Sequence, residues 1–157
     1  MSIEEVIAAL RGCAELRPPA TADALRDAEI RFHGRLSDDV KAFYSAADGT
    51  VDETAPEQGW TRFWELAAWT PVARRLPGAE YRGVHELPVV ADHCHESWWY
   101  ALDVRVGAPA YGSVYIVDGL RPPRMVAASF AAFVAAVLRD DESIYPDVTL
   151  DRVAEFQ

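Results

Sequence analysis

The apolar positions of this chain change period part-way along it. Near the start, Ile3, Val6, Ile7 and Leu10 recur at i, i+3, i+4 and i+7, which paints one face of a helix. Ser2 and Glu5 flank its first turn as a capping box, and Gly12 with Pro18-Pro19 ends it. A second helix is predicted from Thr21 or Asp23 to about Phe32, with Leu25, Ala28 and Phe32 inward and Gly34 as its breaker. Ser37 is the expected cap of a third. Asp38 and Asp39 sit in its first turn, Val40, Phe43, Tyr44 and Ala47 form its buried stripe, and Asp48-Gly49 should close it in a left-handed turn.

Residues 50–61 are polar and acidic and read as a loop. Beyond them the period shortens to two. Arg62 to Trp69 alternates Phe63, Glu65 and Ala67 with Trp64, Leu66 and Ala68, so a strand is predicted, followed by an irregular stretch from Thr70 to Gly83. Leu87 to Ala91, Trp98 to Val104 and Gly112 to Val117 are three further strand-like runs, with a short one over Arg124 to Ala127. Their links are short, so hairpins and a mainly antiparallel sheet are expected. Ser129 then caps a last helix with Phe130, Phe133, Val134, Val137 and Leu138 on its apolar face. The order α-α-α-β-β-β-β-(β)-α predicts an α+β fold, with helices packed on the sheet.

Composition narrows the function. The chain has 157 residues, the size of one domain, here taken to span 1–157. It carries 25 acidic against 15 basic residues, a net charge of −10. Nucleic acid and anionic membrane are therefore poor partners, because phosphates would be repelled over much of the surface. Cys13 and Cys94 lie far apart in no CxxC pattern, which excludes a disulfide scaffold and suits a reducing compartment. No basic n-region precedes an apolar stretch at the start. The longest mostly apolar run, Met125 to Leu138, is about fourteen residues, against about twenty needed to span a bilayer. The cytoplasm is the expected location.

Several pieces in order resemble a known family. Leu36-Ser-Asp-Asp-Val40, then Phe43-Tyr44 and Asp48-Gly49, resemble the signature of the SUKH superfamily, typified by the yeast Smi/Knr cell-wall regulators. Leu87-Pro-Val-Val-Ala-Asp92 and Tyr100-Ala-Leu-Asp103 look like its paired central strands. Gly112 to Asp118 looks like its next strand, and Val126-Ala-Ala-Ser-Phe130 like its closing helix start. The likeness covers about residues 20–140, leaving an N-terminal helix and linker over 1–19 and an acidic tail over 141–157, with Ile144, Tyr145, Val148, Leu150 and Val153 as anchors. It implies a cytosolic protein-binding domain without turnover or cofactor. The bacterial members resemble immunity proteins that block a nuclease or deaminase toxin; the eukaryotic members are regulatory scaffolds. Where the family has a Gly-rich turn, this chain has Asp92-His-Cys-His-Glu-Ser97.

That segment is the most chemical in the sequence. If extended, His93 and His95 would share a face beside Cys94, as a metal-dependent enzyme could use, but no distant pair completes four ligands. The plainer reading is a polar hairpin loop, and the binding reading makes it a contact surface. In Trp98-Trp99-Tyr100 the middle ring faces away from its neighbours, so Trp99 is either an interface anchor or covered by the Trp60–Trp69 segment. Neither GxSxG nor a P-loop occurs. The residues expected to bind a partner are His93, His95, Glu96 and Trp99 in the hairpin and Asp52, Glu53 and Glu57 in the acidic loop. The expected partner is a basic toxin domain, steered by charge, and the chain itself is expected to be a monomer or weak homodimer. The same acidity also serves simple solubility.

Overall fold

The computed structural model describes residues 1–76 and 83–147. Helices α1 (Ile3–Arg11), α2 (Ala22–Arg31) and α3 (Asp38–Ala46) come first. Strands β1 (Thr61–Phe63) and β2 (Thr70–Pro71) and the short helix α4 (Val72–Arg75) follow. Strands β3 (Pro88–His93), β4 (Trp98–Leu102), β5 (Val114–Val117) and β6 (Arg124–Ala127) precede α5 (Phe130–Leu138). The strands form one antiparallel sheet in the order β1-β3-β4-β5-β6, with β2 also pairing to β3. The fold is α+β. None of the helices described is long and apolar enough to cross a membrane.

The helix boundaries follow local chemistry. Ser2 and Glu5 make the reciprocal capping box on α1. The Thr21 and Ser129 hydroxyls accept from the N–H groups of Ala24 and Ala132. α3 departs from expectation. Ser37 makes no cap to its own helix; its hydroxyl donates to Asp39, whose other carboxylate oxygen accepts from Ala131 N–H at 2.8 Å. Asp39 thus spends its charge on the N-terminus of α5, tying two helices together. Nor does Asp48-Gly49 close α3, since Ala47 is already extended. Gly49, at φ 79°, lets the chain pass under β1, where a Cβ would lie 2.5 Å from the Phe63 carbonyl oxygen.

The expected strand from Arg62 to Trp69 stops at Phe63. The carbonyls of Trp64, Leu66 and Trp69 are taken by side chains: Tyr44 donates to Trp64, and Arg31 to Leu66 and Trp69. Leu66 N–H donates to Asp48. These bonds wind Leu66–Ala68 into a 3₁₀ turn that buries Trp64, Leu66 and Trp69 together, which a flat strand could not do. The stretch expected to be irregular then supplies β2 and α4. Pro77 and Gly78 within it, and the tail anchors Val148, Leu150 and Val153, lie outside the described residues.

The core sits between the sheet and helices α3 and α5. Phe43 meets Phe130 edge-on with ring centroids 5.0 Å apart, and Tyr100 of β4 meets Phe133 at 4.6 Å. Phe63, Ala91, Tyr100 and Ile116 are register partners on that helix-facing side. One residue along, Arg62, Asp92, Trp99 and Val117 form the next register row and point to the opposite face.

Candidate functional site

Strands β3 and β4 are joined by Cys94-His95-Glu96-Ser97. Three of these four residues stand at positive φ: Cys94 at 41°, His95 at 54° and Glu96 at 62°. None is glycine, and each such residue costs about 1–2 kcal/mol against right-handed backbone. The turn persists because every N–H in it has a fixed acceptor. Cys94 N–H donates to the Trp60 carbonyl at 2.9 Å, and His95 N–H to Glu53 Oε1 at 2.8 Å. Glu96 N–H donates to Asp92 Oδ2 at 2.8 Å, and Ser97 N–H to the His93 carbonyl at 2.9 Å.

Two of these acceptors are carboxylates from different parts of the chain. Asp92, 1% exposed, also accepts from Trp64 Nε1 and from Arg62 Nε at 3.1 Å. Glu53 comes from the acidic loop, 42 residues before His95. Its Oε1 lies 3.1 Å from His95 Nδ1 as well. The Glu53 side chain is only 12% exposed, while the His95 ring it holds remains 85% exposed. Asp52, Glu57 and Trp60 of the same loop are exposed beside this tip. Both segments stand out in the sequence, and Glu53 joins them in the fold.

The other expected site residues divide between the two faces of the sheet. Trp99 lies on the face away from α5, half-buried, its Nε1 donating to Glu96 Oε1 at 3.1 Å. The same carboxylate oxygen is 3.4 Å from Arg75, whose guanidinium lies 4.8 Å from the Trp64 ring centre. Glu96 and Trp99 thus belong to a packed cluster with Arg75 and Trp64. His93 lies on the helix-facing side. Its imidazole stacks on Trp98 with centroids 3.9 Å apart and planes 6° from parallel, and meets Tyr145 edge-on at 5.3 Å. Burial pulls the imidazole below its ordinary pKa, against the opposite pull of Asp92, Glu53 and Asp140. His93 and His95 thus have different partners. Among the described residues no group of three or more His, Cys, Asp and Glu is arranged to hold a metal ion.

The His93–Trp98 stack forms one wall of an open depression of about 810 Å³. Trp60, Tyr145 and Arg124 complete its sides, and Asp140, Glu142 and Asp147 stand along it. Gly59, at φ 71°, brings the acidic loop over the Tyr145 hydroxyl: a Cβ there would sit 2.2 Å from that oxygen. Tyr145 in turn donates to Asp140. In the sequence Tyr145 stands out only as a tail anchor, and Trp60 and Arg124 carry no functional signal. Gly59 before an aromatic residue was the one local signal of a sharp turn there.

No family model matches the chain, and no curated protein matches it either.

Proposed function

We propose that this chain is a non-catalytic protein-binding domain, an immunity protein that neutralises a basic toxin of nuclease or deaminase type by covering its active site. The observation that carries the reading is the Glu53 tie. It fixes the acidic loop against the hairpin tip, and the exposed residues of these two segments, Asp52, Glu57, Trp60 and His95, combine negative charge with an aromatic ring. A preorganised aromatic anchor lowers the ordering cost of association, and acidic residues around it steer a basic partner. The ordered resemblance to the SUKH superfamily supports the same reading. Among the expected contacts, Asp52, Glu57 and His95 serve directly. Glu53 serves by holding them, and His93, Glu96 and Trp99 by shaping the hairpin behind them. The domain acts in the reducing cytoplasm, where Cys13 and Cys94 remain thiols.

Co-expression with the product of the adjacent gene tests this. Rescue of growth, together with a purified complex whose association rate falls steeply with added salt, is the expected result. No complex and no rescue would defeat the reading, and would favour a regulatory scaffold of the Smi/Knr kind.

A further inference from the structure

We propose that the depression bounded by Trp60, His93, Trp98 and Tyr145 is an aromatic cage that takes an arginine or lysine side chain of the basic protein partner. The inference rests on the binding reading above and gives it a point of contact. Three observations support it. The first is ring geometry. His93 and Trp98 are stacked, and Tyr145 stands edge-on to both, at 5.3 and 5.8 Å. Trp60 lines the same depression with 44% of its surface exposed. Electron-rich ring faces around a concave site attract a cation, and a planar guanidinium also stacks on them.

The second is charge. Among the described residues, the carboxylates of Asp140, Glu142 and Asp147 line the depression together with one cation, Arg124. The Arg124 guanidinium already donates to the carbonyls of Ser143 at 3.1 Å and Tyr145 at 2.6 Å, so it braces the wall. Cationic ligands are favoured over anions by this balance. The third is position. Trp60 belongs to the loop that Glu53 fixes to the hairpin tip, and its carbonyl accepts from Cys94 N–H of the turn itself. A partner seated on the tip would have the depression within its footprint.

The test needs no toxin. The full chain is titrated with n-butylguanidinium chloride, and the indole N–H resonances of Trp60 and Trp98 are followed by NMR. Parallel titrations use N-butylurea, its neutral planar isostere, and sodium valerate as an anion. Saturable shifts at both indoles with the guanidinium alone are expected. Trp60→Leu alters an exposed ring, and should weaken binding at least fivefold. Glu142→Gln should weaken it about threefold, as loss of one nearby carboxylate implies. Ile30→Ala, at an exposed position of α2 outside the depression, should leave the affinity unchanged. Equal binding of the urea, preference for valerate, or no shift up to the solubility limit would overturn the cage. Because small cations report on the depression alone, such a failure leaves the partner reading standing. Cage binding without rescue or complex formation would defeat the partner reading instead.

Discussion

The aromatic core beneath α5 and the tip of the β3–β4 hairpin are held in opposite ways. In the core, Phe43, Phe63, Phe130 and Phe133 are wholly buried and make ring contacts with one another, in ordinary helix and strand backbone. At the tip the backbone is left-handed for three residues, and carboxylates hold it. Apolar burial is non-directional and tolerates many backbones. A carboxylate bonded to a particular N–H fixes one. The core therefore sets whether the chain folds, and Glu53 and Asp92 set the shape it presents.

That contrast can be broken at graded cost. Phe133→Ala should be the most severe change, losing about 3–5 kcal/mol by leaving a cavity among Phe63, Tyr100 and Phe130, as read from denaturant midpoints. Asp92→Ala should cost about 2–3 kcal/mol, because the donors of Trp64, Arg62 and Glu96 lose a shared acceptor. Asp92→Asn should recover part of that loss. A cost below about 0.5 kcal/mol for Asp92→Ala would show that the tip is held by packing instead.

Glu53→Gln should cost only about 0.5–1.5 kcal/mol of global stability. Its larger effect should be local, in faster hydrogen exchange at the His95 amide and weaker partner binding. If exchange there is unchanged, Glu53 does not fix the tip. His95→Gly should move stability the other way by about 0.5–1 kcal/mol, since glycine accepts φ 54° without penalty. The smallest expected effect is a slope with pH. Burial keeps the folded-state pKa of His93 below the ordinary value of about 6.5. The unfolded chain then binds the proton more readily, so stability is full above that value and declines as pH falls toward the lower folded-state one. His93→Gln should flatten the fall in urea midpoint over that window, and an unchanged slope would sink this assignment.

Helices were the legible part of the sequence, because their signals are local. The capping box of Ser2 and Glu5, the Ser129 cap and the i, i+3, i+4 stripes describe α1, α3 and α5 closely. The run from Arg62 to Trp69 misled because its alternation is real while its hydrogen bonds go to Tyr44, Arg31 and Asp48, residues remote in sequence. The site shows the same limit. Glu53 and His95 stand out as residue types, but only the closed sheet brings them together. Trp99 stands out as an aromatic residue, and only the register turns it to the far face from His93. Trp60 gave no periodic signal, since its role comes from the turn at Gly59.

The order of the strands has a consequence for how the molecule assembles. Strands β3 to β6 are sequential neighbours and can zip together from short loops. β1 reaches its place only when Thr61 meets His93, across an interval that must first close on itself. Long closures are slow to form. Glu53 precedes β1 and meets His95 42 residues further on, so the tip is expected to be completed late in assembly. A partner that gripped it would bind the folded chain in preference to the unfolded one, and would lengthen the life of the whole fold.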